Sequence, residues 1–237
     1  MHPIIYATSD IHSPRYLGIF RHAVSLADKR ACIVVLAGDL IDKGRVAFLD
    51  PVVKAVQSTF RDAVVLGVFG NEEYHEVRSV IKDRYPDIMW LEDSYVKVKC
   101  NEDSIAVIGT TGALDRPTRW QRRNMPWLEN VYKERPRRIA ELIKEARSSS
   151  RRVILASHYA LTRATLKGEN PRIWPELYST AMEKVIKAEK PDAAIHGHAH
   201  NGVRMALVDG VPVFNVALPL NRQLVEVKFR RGITSFF

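Results

Sequence analysis

One unit recurs along the early part of this chain: a short apolar run, a polar turn, then apolar residues at helical spacing. Ile4-Ile5-Tyr6-Ala7-Thr8 leads into Asp10-Ile11-His12, after which Leu17, Phe20, Val24 and Ala27 mark a helix. Cys32 to Ala37 is continuously apolar, ends in Gly38-Asp39-Leu40-Ile41-Asp42, and is followed by Leu49, Val52, Val53 and Val56. Ala63 to Phe69 ends in Gly70-Asn71-Glu72-Glu73 and is followed by Val77, Val80 and Ile81. Short, β-branched runs of this kind read as strands buried on both faces. Strands alternating with helices predict a mainly parallel sheet whose polar turns share one edge. In α/β folds that edge is where ligands bind. Ser13-Pro14 reads as an N-cap with proline in the first helical turn.

The middle of the chain changes character. Tyr95 to Lys99 and Ser104 to Ile108, separated by Asn101-Glu102-Asp103, predict a hairpin. Gly109 to Arg138 is rich in Arg, Trp and Pro without a clear period and reads as an irregular excursion; Ile139, Leu142, Ile143 and Ala146 then mark a helix. Val153 to Ala156 is a further buried strand ending at Ser157-His158-Tyr159. Leu177, Met182, Val185 and Ile186 mark another helix, and Ala193-Ala194-Ile195 leads to His196-Gly197-His198-Ala199-His200. Val203 to Phe229 reads as three strands separated by turns at Asp209-Gly210 and Pro219. There is no linker, repeat or low-complexity stretch, so residues 1–237 are expected to form one domain, with the basic excursion at about 113–138.

No apolar run reaches the length of a membrane span, and the start, Met1-His2-Pro3, carries no basic leader. No membrane partner is expected. Of the two cysteines, Cys32 opens one apolar strand and Cys100 closes another, so buried free thiols are expected rather than a disulfide. Free thiols place the chain in a reducing cytoplasm. Three glutamines against many Arg, Lys and Glu lean towards a thermophile.

The net charge of +9 is unevenly spread. Arg116 to Arg152 holds twelve basic side chains against four acidic ones, a local balance of +8. Such a run is either a solvated helical surface or a collar that attracts polyanions. Arg116, Arg119, Trp120, Arg122 and Arg123 interleave cations with an aromatic, a pattern that can hold a phosphate backbone and stack bases. They are the candidate substrate contacts, and nucleic acid is a candidate partner.

Each polar turn delivers metal-ligating side chains: Asp10, His12, Asp39, Asn71, His158, His198 and His200. The donors are oxygen and nitrogen with no thiolate, a set suited to first-row divalent ions. One ion cannot use all seven, but two ions sharing a carboxylate can, and such pairs serve phosphoryl displacement. His22 and His2 read as surface residues, and His196 as packed at a strand end or as an outer partner of the ligands.

In these five stretches the chain resembles the calcineurin-like metallophosphoesterases, whose pattern is D-x-H, G-D-x-x-D, G-N-H-[DE], a histidine after a strand, and G-H-x-H. Here these are Asp10-Ile11-His12, Gly38-Asp39-Leu40-Ile41-Asp42, Gly70-Asn71-Glu72-Glu73, His158 and Gly197-His198-Ala199-His200, in the same order over nearly the whole chain. The resemblance implies an α/β fold, a four-layer αββα sandwich with two mixed β-sheets. It implies one divalent ion held by Asp10, His12, Asp39 and His200 and a second held by Asp39, Asn71, His158 and His198, drawn from Mn, Fe, Zn, Ni or Co. Asp39 would bridge the two, and Asp42 would orient a ligand or a water. The implied reaction is hydrolysis of a phosphoester by in-line attack of metal-bound hydroxide, with Asp39, Asn71, Glu72 and His158 as the catalytic set. The chain departs from the pattern once. The histidine of G-N-H, a phosphate contact and leaving-group acid, is Glu72 here. That points to a diester rather than a monoester substrate. Two other readings are a nuclease guided by the basic excursion and a binding scaffold without catalysis. Scaffolds on this fold lose ligands, whereas all seven are present.

Overall fold

The computed structural model describes residues 3–229. His2, expected at the surface, lies outside them. The first three units form as the pattern requires. β1 (Ile5–Thr8), β2 (Ile33–Ala37) and β3 (Val64–Val68) pair in parallel, joined by α1 (Leu17–Leu26) and α2 (Asp50–Thr59). α3 (His75–Arg84) crosses to β4 (Met89–Leu91), a parallel edge strand of three residues. So short a strand has no readable period. Its place is set by pairing with β3 and by Trp90 stacking on Phe69, ring centroids 4.5 Å apart.

The second sheet begins with the hairpin of β5 (Ser94–Cys100) and β6 (Asp103–Thr110). α4 (Arg119–Asn124) and α5 (Leu128–Ser149) follow, then β7 (Arg152–Ser157), α6 (Thr180–Glu189) and β8 (Ala193–His196). β9 (Met205–Val208), β10 (Val211–Asn215), α7 (Leu218–Asn221) and β11 (Val225–Glu226) complete the described chain. The five-stranded sheet runs β11-β1-β2-β3-β4 and the six-stranded sheet β5-β6-β7-β8-β10-β9. Both are mixed: β11 in the first, and β5 and β9 in the second, run antiparallel to their neighbours.

Alternation along the strands builds the layers. In β2, Val34 and Leu36 face α1 and α2, while Ile33, Val35 and Ala37 face the other sheet. In β7, Ile154 and Ala156 join the inter-sheet core, and Val153 and Leu155 pack under α5 and α6. The result is the expected αββα sandwich.

Several local expectations are corrected. Ser13-Pro14 does not cap a helix: Ser13 forms a bridge with Ile41, and α1 starts at Leu17 after Tyr16. Val80 is on the exposed side of α3, where only Ile81 is buried. Residues 111–118 are irregular as expected, but the rest of the stretch up to Arg138 is mostly helical, in α4 and α5. α5 runs 22 residues through Pro136, with Tyr132, Pro136, Ile139, Ile143 and Ala146 forming one buried stripe. Proline and dense arginine hid that period. Pro219 lies in α7 rather than in a turn. Cys32 and Cys100 are not free thiols but a disulfide, with Cα atoms 5.8 Å apart. The sandwich places the start of β2 over the end of β5, so the bond ties the two sheets together at the end opposite the polar turns.

Candidate metal centre

All the ligand-bearing turns meet at one edge, between the two sheets. Asp10 and His12 leave β1, Asp39 leaves β2, Asn71 follows β3, His158 leaves β7, and His198 and His200 follow β8. Four of them hold left-handed backbone: Asp10 at φ 57°, His12 at 44°, Asp39 at 50° and His198 at 68°. Such conformations cost an L residue about 1–2 kcal/mol each and collect at functional sites. Two groups have ligand atoms all within 4.8 Å of one another: Asp10 with His12 and His200, and Asp39 with His158 and His198.

Asp10 is fully buried, and its Oδ1 lies 2.9 Å from His200 Nε2. Its Oδ2 accepts from Ser9 Oγ at 2.5 Å and from the His198 amide at 2.9 Å. Burial raises its pKa, but these bonds and the neighbouring imidazoles outweigh that and hold it below the usual carboxylate range. Asp39 goes the other way: burial, then the charges of Glu73 and Asp10, push its pKa well up. Its Oδ1 accepts from the Glu72 amide at 2.8 Å. Its Oδ2 lies 3.8 Å from His12 Nε2 and 3.5 Å from His158 Nε2, between the two groups.

The imidazoles are presented as ligands. His12 donates Nδ1–H to Asp42 Oδ1 at 2.9 Å, so its Nε2 carries a lone pair. That buried Nε2 has no hydrogen-bond partner among the described residues, and Asp10 Oδ1 and Asp39 Oδ2 stand 3.9 and 3.8 Å away. His158 donates Nδ1–H to the Ala37 carbonyl at 3.1 Å, so its Nε2 lone pair faces Asn71 Oδ1 at 3.0 Å. Burial lowers the pKa of His158 to about 4 and that of His198 to about 3, so both rings are neutral at pH 7. Lone pairs converging without a proton between them fit a bound cation. The donor set therefore suits the two divalent ions the motifs imply.

Several residues that the sequence reading left without a role build this edge. Glu73, fully buried, accepts backbone N–H bonds from Asp39, Leu40, Ile41 and Gly70 at 2.7–3.2 Å and so fixes the turns after β2 and β3 together. Gly38, at φ +87°, lets β2 turn where a Cβ would meet His158 Nδ1 at 2.6 Å. A Cβ on Gly70 would collide with Asp39 Oδ1. Both glycines stand inside the motifs, but a sequence does not state what they make room for. His196 is packed: its Nε2 meets Thr165 Oγ1 at 2.8 Å and its Nδ1 the Gly197 carbonyl at 2.7 Å. His22 is exposed, as expected.

The carboxylate of Glu72 accepts from the Lys43 amide at 2.6 Å, and its carbonyl accepts from the Gly44 amide at 2.8 Å. The basic collar is largely neutralised. Eight of its twelve cations lie within 4.0 Å of a carboxylate, among them Arg116 on Glu176. Among the described residues Arg119, Arg122, Arg123 and Arg138 have no such partner; the first three are on α4 beside Trp120, which is 60% exposed. α4 is tied to the edge by Gln121, whose amide donates to Tyr159 Oη at 3.1 Å. The Tyr159 ring stands 4.9 Å from that of His198.

Residues 4–202 match the model of the calcineurin-like phosphoesterase family. No curated protein sequence matches the chain. Among solved structures it is similar to phosphopantetheinyl hydrolase from Mycobacterium tuberculosis (TM-score 0.64, 15% identity, 95% of each chain). It is also similar to a putative 5′-nucleotidase from Staphylococcus aureus (TM-score 0.59, 15% identity, 90% of this chain and 48% of that one). A third is the protein TT1561 of Thermus thermophilus (TM-score 0.58, 19% identity, 97% of this chain and 100% of that one). At these identities the likeness is one of fold.

Proposed function

This chain belongs to the calcineurin-like phosphoesterase family, and we propose that it is a two-metal phosphodiesterase. Asp10, His12, Asp39 and His200 would hold one divalent ion, and Asp39, Asn71, His158 and His198 the other. Two ions in such a site lower the pKa of a water and neutralise charge on phosphorus oxygens. Asp39 Oδ2, between the two ligand groups, is the observation that carries the two-ion reading. Manganese is our candidate among Mn, Fe, Zn, Ni and Co, all of which accept the oxygen and nitrogen donors present.

The diester preference rests on Glu72. Its carboxylate is engaged by the Lys43 amide and brings no positive charge to the place of the family's histidine. A dianionic monoester gains nothing there, whereas a diester, with one negative charge, needs less compensation. A nucleic-acid substrate is the second reading, favoured by Arg119, Arg122 and Arg123, which have no carboxylate partner among the described residues, around exposed Trp120. The Cys32–Cys100 disulfide removes the free-thiol ground for a reducing cytoplasm, so a cytoplasmic location stands only together with the thermophile reading, since intracellular disulfides persist in hyperthermophiles.

One activity panel tests these readings. The metal-reconstituted protein is given bis(p-nitrophenyl) phosphate, p-nitrophenyl phosphate, cyclic nucleotides and single-stranded nucleic acid, with and without chelator. The diester should be hydrolysed faster than the monoester, and chelator should abolish both activities. Asp39→Asn should lose at least one ion and nearly all turnover while the fold survives. A strong monoester preference, or full activity in chelator, overturns the proposal. Nucleic-acid binding should weaken steeply with salt if the second reading holds.

A further inference from the structure

We infer that Arg15 and Arg45 form a second anion site on the rim of the metal centre, taking a phosphate or carboxylate that the substrate carries away from its scissile phosphorus. The inference rests on the phosphodiesterase reading above. Arg15 comes from the turn after β1 and Arg45 from the turn after β2, and both converge on Asp42. Arg15 Nη2 lies 3.2 Å from Asp42 Oδ2, and Arg45 Nη2 lies 3.8 Å from the same oxygen. The Asp42 side chain is only 10% exposed, while those of Arg15 and Arg45 are 55% and 50% exposed. One carboxylate therefore has two guanidinium groups leaning on it, and one positive charge is left over at the surface.

Donors are left over as well. Arg15 spends one N–H, on Asp42. Arg45 donates Nε–H to the Asp42 carbonyl at 3.2 Å and lies over the Phe48 ring, 4.6 Å from its centroid. Their other N–H groups meet no acceptor among the described residues. A planar fork with free N–H groups suits a phosphate or carboxylate. If these arginines served only to hold Asp42, one guanidinium would suffice.

Position argues for a remote anion rather than the scissile one. His12 turns Nε2 to Asp10 and Asp39 and Nδ1 to Asp42. The guanidinium groups stand beyond Asp42, a ring and a carboxylate away from the metal-ligand atoms. The contacts on Asp42 thus hold them on the side of His12 away from its Nε2, the place of a group further along the substrate rather than of the scissile phosphorus.

The test compares thymidine 5′-(p-nitrophenyl phosphate) with and without a 3′-phosphate, using metal-loaded protein. The ratio of kcat/KM for the two esters is the readout. A parallel calorimetric titration compares binding of thymidine 3′,5′-bisphosphate with that of thymidine 5′-monophosphate. Wild type should favour the extra phosphate by about tenfold or more in both assays, as a charge-assisted contact supplies. The Arg15→Gln/Arg45→Gln double variant should bring both ratios to within about twofold of unity. Arg15→Lys/Arg45→Lys should keep part of the preference. A merely structural role would change both members of each pair alike and leave the ratios in place. Ratios near unity in wild type, or ratios that survive in the double variant, overturn the inference. Should the double variant not fold, each single Gln variant should cut the preference by about threefold, and unchanged ratios there overturn it equally. If neither ester is hydrolysed, the phosphodiesterase reading falls, and the binding ratio still decides whether the arginines take an anion.

Discussion

Three buried imidazoles show what burial does to single residues here. His158 and His196 are held near pKa 4 and His198 near 3 by loss of solvent, against 6.5 for a free imidazole. Between about pH 4 and 6.5 the unfolded chain carries protons on these rings that the folded chain does not, so their contribution makes stability rise with pH through that window. Asp39 and Glu73, with pKa values raised by burial, give the opposite slope from the ordinary carboxylate range upward, which overlaps that window. Ring titration in chelator-treated protein therefore separates the two effects better than a melting curve. Nitrogen NMR should find the rings of His158, His196 and His198 neutral at pH 5.5; protonated rings at that pH would contradict the buried, ligand-ready state. The identity of these residues was legible from Ser157-His158 and Gly197-His198, each placed after a strand. Ring orientation was not: Ala37 reaches His158, and Asp42 reaches His12, only in the folded chain.

At the scale of elements, the metal centre is a meeting of strand ends, and Glu73 binds two of those ends together. Its carboxylate accepts four backbone N–H groups from the turns after β2 and β3. Glu73→Ala would leave four buried donors unpaired, a loss of about 4 kcal/mol or more. Urea unfolding should show that loss, and metal content should fall with it, because the turn that carries Asp39 is no longer pinned. A variant with wild-type stability and full metal content would show that the turns hold themselves. The sequence placed Glu73 in the right motif without indicating this role, since none of its four partners is nearer than three residues and three of them lie on another turn. α4 and α5 show the reverse problem. Their helical stripe was present, but Pro136 and the arginines around it masked the period until packing on the second sheet selected the buried face.

At the scale of the whole molecule, the phosphoesterase is two halves joined at opposite ends by different means. The candidate metal residues link the strand ends at one edge, and the Cys32–Cys100 disulfide links the sheets at the other. The bond closes a loop across 68 positions, which corresponds to about 4 kcal/mol in a chain-entropy account. Replacing both cysteines by serine should lower stability by about that amount, read by urea unfolding, while turnover at the distant edge persists. Equal stability with and without the bond would show that the inter-sheet core alone sets the association of the halves. No described helix is long and apolar enough to cross a membrane.

By itself the sequence determined the periodicity of the elements, the edge at which the polar turns gather, and all seven candidate ligands. Those are local properties: runs of β-branched residues, helical spacing, and side chains with ligating atoms next to a strand end. Tertiary structure decided what depends on residues far apart in the chain. It paired Cys32 with Cys100, which separate strand contexts had suggested were free thiols. It set β4 beside β3, neutralised most of the basic collar with carboxylates from other elements, and gathered Arg15 and Arg45 on Asp42. Each of these is a contact between distant segments, and its energy exists only once the two sheets have packed and brought the partners within bonding distance.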